Sequence, residues 1–164
     1  MGQEPWASAH HERGHLGQSL WLREIHGRED GPAPHVDLIL EKSAGAFIRE
    51  GIARGLLTAV HDVSDGGLAV ALAEMALASG HGAEVDTHPD YTAAQWWFGE
   101  DQGRYLVTVS DVEAFQAYLA EGKEECGVRR LGTVGGDSLF GAKLSALREA
   151  HESFFRDWME VAPG

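Results

Sequence analysis

The polar residues best placed for ligand chemistry lie between an apolar, β-branched segment and a long segment rich in alanine and leucine. They form a short run of carboxylate, hydroxyl and glycine residues: Asp62, Ser64, Asp65, Gly66 and Gly67. This order predicts a strand, a turn and a helix N-terminus. We expect the Asp65 carboxylate to accept hydrogen bonds from the first free helical amides. The two glycines let the backbone approach a neighbour or a ligand closely.

Two titratable residues near this turn have both a chemical and a structural interpretation. His61, at the end of the predicted strand, could act as a general base or contact a phosphate near neutral pH. We favour a buried imidazole that bonds to a backbone carbonyl. Glu74 is the only charged residue between Gly66 and Ser79. On so apolar a helix, a lone carboxylate is more often paired structurally than catalytic.

A second polar cluster follows the aromatic run 96–98. It comprises Glu100, Asp101, Gln102 and Arg104. A flexible amide and a planar guanidinium after a glycine-containing loop suit recognition of a carboxamide or a phosphate. The aromatic run could stack on a purine, but core packing or a domain interface explains it more simply.

Strands and helices must alternate to position these clusters. The apolar periodicity predicts strands at 19–25, 57–63, 83–85, 104–109, 128–134 and 138–144. It predicts helices at 37–55, 67–79, 92–98, 111–121 and 146–159, and a hairpin at 135–137. The apolar side chains expected inside the first helix are Leu38, Ile39, Phe47, Ile48 and Ile52. Those expected on one stripe of the last helix are Leu147, Phe154 and Trp158. The alternation makes the fold α/β or α+β.

Length and composition restrict the class of protein. A chain of 164 residues fits one domain and can bury a core without disulfides. Its formal charge of −13 makes nucleic acid an unfavourable partner. Cys126 is the only cysteine, which excludes an intramolecular disulfide and favours a reducing, cytoplasmic compartment. No apolar run is long enough to span a membrane.

Residues 1–13 have no periodic apolar pattern, so we expect a disordered tail or a cloning remnant there, followed by one domain over 14–164. His10, His11 and His15 could converge on a transition metal. Incidental histidines are the simpler interpretation, because no cysteine or carboxylate completes a ligand spacing.

Four segments together resemble the C-terminal half-domain of one enzyme family. The run from His61 to Ala76, H-D-V-S-D-G-G-L-A-V-A-L-A-E-M-A, resembles its start almost letter for letter. The family is that of phosphoribosylformylglycinamidine synthase, the formylglycinamide ribonucleotide amidotransferase synthetase subunit. Its entry segment is similar to G-H-L-G-Q-S-L-W-L at 14–22 with 31–38. Its later segments are similar to F-G-E-D-Q-G-R-Y-L-V at 98–107 and L-G-T-V-G-G at 131–136. The shared order argues against chance convergence.

The resemblance implies a three-layer α/β/α half-domain with a mixed sheet and a partial likeness to the ferredoxin-like fold. It also implies a ligase of de novo purine biosynthesis that converts formylglycinamide ribonucleotide to formylglycinamidine ribonucleotide. In that reaction ATP phosphorylates an amide oxygen, and ammonia from a glutaminase partner then displaces the phosphate. ATP and Mg²⁺ are the implied cofactors. The implied partners are the N-terminal synthetase domains and the glutaminase subunit or domain.

The resemblance also suggests site residues. Nucleotide or phosphate contacts are expected from Asp62, Ser64, Asp65, Gly66, Gly67, Gln102 and Arg104, and magnesium ligands from Asp62, Asp65 and Glu100. Asp62 and Asp65 could equally be a turn-former and a helix cap. The family's catalytic histidine belongs to its N-terminal part, so we expect no catalytic residue here and no activity from the chain alone. The G-E-D-Q-G-R segment looks like the family's second-half copy, which suggests a pseudo-symmetric nucleotide site.

Two other classes of function remain open. Aminoimidazole ribonucleotide synthetase, selenophosphate synthetase and hydrogenase-maturation proteins share this half-domain architecture and its ATP chemistry. A non-catalytic nucleotide-binding or docking module is the third hypothesis. Because the family builds its sites between two half-domains, we expect both polar clusters to share one exposed face. The apolar part of that face could then support a homodimer.

Overall fold

The computed structural model describes residues 4–8, 14–121 and 127–160. Its larger sheet contains β1 (Glu4–Ser8), β2 (Leu57–Asp62), β4 (Tyr105–Val109) and β5 (Val128–Arg130), in the order β2-β4-β1-β5. Every neighbouring pair in this sheet is antiparallel. Two β-α-β units interleave to give this order, with α1 (Leu38–Ala53) in the first and α4 (Val112–Ala120) in the second. This is the ferredoxin-like arrangement to which the family resemblance implied a partial likeness.

Helices cover both faces of this sheet. On one face, Phe47 of α1 and Phe115 of α4 pack with Val107 and Val109. On the other face, α2 (Gly67–Ser79) and α3 (Ala93–Phe98) pack against Leu106. The predicted three-layer α/β/α fold is therefore confirmed. None of the helices among the described residues is long and apolar enough to cross a membrane.

A second, mixed sheet contains short strands: β3 (Ala83–Val85), β6 (Gly132–Val134), β7 (Ser138–Leu139) and β8 (Ala142–Lys143), in the order β6-β3-β7-β8. The chain passes from the first sheet to the second at Leu131, whose amide donates to the Pro5 carbonyl at 2.8 Å. Helix α5 (Leu144–Glu160) follows, and its first turns pack on α2.

The expected disordered tail is wrong for Glu4–Ser8, which form the central strand β1. Trp6 is buried there, and its ring contacts the edge of Phe115 at 5.4 Å between centroids. This apolar contact stabilises a strand that is too short and too proline-broken to show a periodic pattern. The expected strand at 19–25 is also wrong, because Trp21–Ile25 form a short π-helix.

The hairpin expected at 135–137 is wrong as well, because β3 lies between β6 and β7. The Gly135 amide donates to the Gly82 carbonyl at 2.8 Å, and the Gly82 amide donates to the Gly136 carbonyl at 3.0 Å. These bonds tie the glycine loop to the start of β3. The hairpin of this region joins β7 and β8, and its two-residue turn has left-handed φ angles at Phe140 and Gly141.

The helix interiors are predicted only in part. Phe47 and Ile48 are buried as expected, whereas Leu38, Ile39 and Ile52 are exposed. In α5, Leu147 packs on the core, but Phe154 and Trp158 are exposed. In both α1 and α5, the apolar residues extend along the helix beyond the part that packs on the rest of the domain.

Candidate functional site

The predicted strand, turn and helix are present, and the turn brings two loops into backbone contact. Gly66 and Gly67 have φ angles of +79° and +66°, which L side chains rarely adopt. A Cβ at Gly67 would lie 2.7 Å from the Gly99 carbonyl oxygen and 2.8 Å from the Phe98 carbonyl carbon. Glycine at 67 therefore permits the second polar cluster to lie directly against the start of α2.

The Glu100 carboxylate joins three segments of the chain. Its Oε1 accepts hydrogen bonds from the Gly66 amide at 2.8 Å and from the Leu20 amide at 2.9 Å. The Glu100 amide donates to the His15 carbonyl at 2.9 Å. The entry loop, the glycine turn and the second cluster therefore meet at this one side chain. The two clusters lie close together as expected, but Asp101 and Arg104 of the second cluster are buried and do not lie on an exposed face.

Arg104 and Asp101 stabilise the second loop from within. Arg104 is 3% exposed, its Nη1 donates to the Gly99 carbonyl at 3.1 Å and lies 3.8 Å from Asp101 Oδ2. The same Asp101 oxygen accepts from the His15 amide at 3.2 Å. A ligand cannot reach this guanidinium unless the loop moves. Arg104 positions the loop in this structure. A sequence motif alone cannot distinguish this role from direct contact with a ligand.

The side chains that face solvent at this site are Asp62, Ser64, Asp65 and Gln102. The expected helix cap by Asp65 is wrong: Gly66 is the N-cap of α2, and no side chain caps it. The left-handed Gly66 moves Asp65 one residue outside the helix, and the Gly67 amide donates to the Ser64 carbonyl instead. Asp65 is therefore an exposed carboxylate beside two glycines.

Arg23 is a basic residue near this site that the sequence did not single out. Its pKa is raised above the usual value, mainly because it donates a hydrogen bond to Glu24; the charge of Asp65 adds a smaller contribution. Arg23 lies on the π-helix that was predicted as a strand. Its relation to Asp65 depends on that local geometry, so no spacing in the sequence reveals it.

Glu74 pairs with His61, and the His61 ring contacts a backbone carbonyl as we favoured, but the His61 side chain is 29% exposed and is not buried. His61 Nδ1 lies 2.6 Å from the Asp62 carbonyl oxygen, and His61 Nε2 lies 3.2 Å from Glu74 Oε2. Both line a cavity of about 580 Å³ between the larger sheet and α2, whose walls include Leu72, Met75 and Leu106. This cavity is separate from the polar loops. The core role of Trp96 is confirmed, since it is 2% exposed.

The metal hypotheses find limited support in geometry. Within residues 4–8, 14–121 and 127–160, no three His, Cys, Asp or Glu side chains converge as a metal site. His15 Nε2 lies 2.8 Å from the Pro32 carbonyl oxygen. His10, His11 and Cys126 lie outside the described residues.

Comparison with known proteins agrees with the motifs. A family model described as AIR synthase related protein, C-terminal domain, matches residues 8–144. Phosphoribosylformylglycinamidine synthase subunit PurL from Erythrobacter litoralis is 60% identical over an alignment of 166 positions, which covers 98% of this chain and 22% of that protein. The chain thus spans about a fifth of the length of this curated relative.

Two solved structures show the same fold. Thermotoga maritima PurL complexed with FGAR aligns with a TM-score of 0.67 at 21% identity, over 83% of this chain and 24% of that one. Thermotoga maritima PurL complexed with ATP aligns with a TM-score of 0.64 at 17% identity, over 89% of this chain and 25% of that one. With the family match over residues 8–144, these findings show that the chain belongs to the AIR synthase related protein, C-terminal domain, family.

Proposed function

We propose that this chain is the C-terminal part of an ATP-dependent ligase that converts formylglycinamide ribonucleotide to formylglycinamidine ribonucleotide in de novo purine biosynthesis, in the cytoplasm. The observation that carries the proposal is the 60% identity to a synthase subunit over nearly the whole chain. The alternative enzymes of the superfamily, such as aminoimidazole ribonucleotide synthetase, lack this support. The match to the synthase subunit covers nearly the whole chain and therefore includes both polar clusters. The missing part of the ligase supplies the catalytic histidine, and a glutaminase partner supplies ammonia.

The site geometry supports a ligand-binding edge. Asp62, Ser64, Asp65 and Gln102 face solvent, whereas Gly66 and Gly67 are buried and their amides donate to Glu100 Oε1 and to the Ser64 carbonyl. We assign nucleotide or phosphate contact to the four exposed residues, and to the two glycines the role of holding the turn that presents Ser64 and Asp65. For Arg104 we propose an indirect role, in which it fixes the loop that presents Gln102.

Magnesium fits this edge only as an ion shared with phosphate. Asp62 and Asp65 supply exposed carboxylates, and Mg²⁺ commonly takes one or two carboxylates together with water and substrate phosphates. Glu100, the third proposed ligand, already accepts two backbone amides through Oε1, and among the described residues it does not converge with Asp62 and Asp65 as a metal site. The bound ion would neutralise phosphate charge; the chain's own contribution is to hold the two carboxylates beside the glycine turn.

An exposed apolar patch beside the site suits the rest of the ligase. It consists of Val36, Leu38 and Ile39, and the N-terminal turn of α1 that bears it lies next to Gly103. Apolar side chains that flank a polar site mark a surface which another domain covers. We propose that the N-terminal synthetase domains dock here and complete the site.

A chimaeric enzyme tests the proposal. This chain replaces the corresponding 22% of the Erythrobacter litoralis subunit, and ADP release that depends on formylglycinamide ribonucleotide, ammonium and Mg²⁺ is measured. We expect activity close to that of the parent subunit. Gln102→Ala should lower kcat/KM at least tenfold, on the order of 1.4 kcal/mol of transition-state stabilisation.

Gln116→Ala is the matched control, because Gln116 is also an exposed glutamine and lies on α4. It should leave kcat/KM unchanged. A folded chimaera without substrate-dependent ADP release would overturn the proposed function. Equal effects of the two glutamine variants would overturn the assignment of Gln102.

A further inference from the structure

One carboxylate oxygen accepts the amides at the starts of two helices. Glu100 Oε1 accepts from the Gly66 amide at 2.8 Å and from the Leu20 amide at 2.9 Å. Gly66 is the N-cap of α2, Leu20 is the N-cap of the π-helix Trp21–Ile25, and neither N-cap residue caps its helix with a side chain. Amides at a helix start have no partner within the helix. Glu100 therefore supplies an acceptor that neither helix provides for itself.

Close contacts on either side of Glu100 hold its loop against the entry loop. The Trp21 ring stacks on Phe98 at 4.3 Å between centroids, with the ring planes 21° apart. A Cβ at Gly99 would lie 2.8 Å from the Gly14 Cα. The backbone that bears Glu100 is therefore fixed by packing, and its side chain reaches the glycine turn from a defined position.

The exposed residues assigned to ligand contact are close in the chain to the two ends of the Glu100–Gly66 hydrogen bond. Ser64 and Asp65 immediately precede Gly66, and Gln102 is two residues after Glu100. All three side chains face solvent, so their location depends on the backbone that bears them. A change in the distance between Glu100 and Gly66 would therefore move Ser64 and Asp65 relative to Gln102.

We propose that Glu100 is a positioning residue of the ligase, which sets the separation between the glycine turn and the Gln102 loop and itself binds neither metal nor substrate. This assignment rests on the proposed ligase function. Its Oε1 is shared by two amides, and among the residues that the structure describes no three carboxylate, imidazole or thiol groups converge as a metal site. Position 100 then requires an oxygen at the correct reach, and the geometry of this acceptor matters more than its charge.

Two variants of the chimaeric subunit separate reach from charge. E100Q keeps an oxygen at the same reach and removes the charge, whereas E100D keeps the charge and shortens the side chain by one methylene. We expect E100Q to retain kcat/KM within about threefold of the parent chimaera and E100D to lose at least about tenfold. The Mg²⁺ concentration that gives half the maximal rate should be the same in E100Q as in the parent. The same two changes at Glu113, an exposed glutamate on α4, are the matched controls and should leave kcat/KM unchanged.

Amide hydrogen exchange in the 164-residue chain measures the contact without the reaction. E100D should raise the exchange rates of the Leu20 and Gly66 amides at least about tenfold, and E100Q should leave both within about threefold of the parent. The Ala114 amide, which donates to the Asp111 carboxylate at 2.9 Å, is the matched reference. Its exchange rate should be the same in all three proteins.

A chimaera in which E100Q is more impaired than E100D would show that the charge is required, and would overturn the proposal in favour of a metal or substrate ligand. An E100D chimaera with a lower melting temperature but parental kcat/KM would show a purely structural role and would also overturn it. Unchanged exchange of the Leu20 and Gly66 amides in E100D would show that the two bonds do not hold the loops, and this measurement decides if the E100D chimaera does not fold. Failure of the proposed ligase function gives a different result, because the parent chimaera would then itself be inactive, which would overturn both proposals.

Discussion

At the scale of single residues, the site depends on how closely two backbones approach at Gly67. The φ of Gly67 is +66°, and a Cβ added there would lie 2.7 Å from the Gly99 oxygen. Either factor alone disfavours a side chain. To accept a side chain at position 67, the two loops that bear the proposed ligand contacts would have to move apart.

Gly67→Val should therefore lower the free energy of unfolding by at least ~2 kcal/mol, because left-handed strain and backbone overlap both oppose the new side chain. Urea unfolding followed by circular dichroism measures the change. Gly135→Val is the control, since a Cβ at Gly135 meets no atom within 4 Å and its φ is ordinary. An equal loss in both variants, or none at Gly67, would refute the role assigned to the contact.

The site residues were predicted unevenly from the sequence, for a physical reason. The glycines and the polar turn are visible because they are local in the chain. The role of Glu100 is not local: its carboxylate bonds to amides at positions 20 and 66. A carboxylate in a motif looks the same whether it faces a metal or two backbone amides. The burial of Arg104 was invisible for the same reason.

At the scale of elements, β1 shows that a short strand can stabilise a whole sheet. It lies between β4 and β5 and has no periodic pattern of its own. The sequence predicted the long amphipathic helices and the β-branched strands, where five or more residues repeat a signal. It failed for β1 and for the hairpin, because both are defined by which strand lies alongside, a property that no local window contains.

Trp6→Ala should cost about 3–5 kcal/mol of unfolding free energy, because it removes a buried ring that packs on Phe115 at the centre of the sheet. Thermal and urea unfolding measure the loss. Trp158→Ala provides a control for the same change at a 73% exposed site. A Trp6 variant as stable as its Trp158 counterpart would contradict the structural role of β1.

At the scale of the whole molecule, the alternation of strands and helices predicted the fold class. It did not predict which apolar helix faces would be covered within this chain. Helical periodicity predicted that the apolar residues at 38 and 39 lie inside and that those at 154 and 158 form one apolar stripe. They lie outside. Helical periodicity identifies the apolar face of a helix. It does not specify whether that face packs against the same chain or against another domain.

The isolated chain should consequently bind ADP poorly and form no formylglycinamidine ribonucleotide, because only one side of the proposed site is present. Product formation with ATP, Mg²⁺, ammonia and formylglycinamide ribonucleotide is the measurement, and the intact Erythrobacter litoralis subunit is the positive control. Turnover above background by the isolated chain would show that the second half of the site is unnecessary.

The central position of β1 also sets a time order for biosynthesis. Residues 4–7 pair with residues 106–109, and residues 6–8 pair with residues 128–130, so the first strand of this domain to be synthesised waits for the last two strands of its sheet. Contacts of such sequence separation form slowly, since a long loop must close before they are gained. Until β5 emerges, the nascent sheet lacks its edge and Trp6 lacks its complete surroundings. Translation must therefore pass residue 130 before the domain closes, which leaves an extended interval in which chaperones can bind the unfinished sheet.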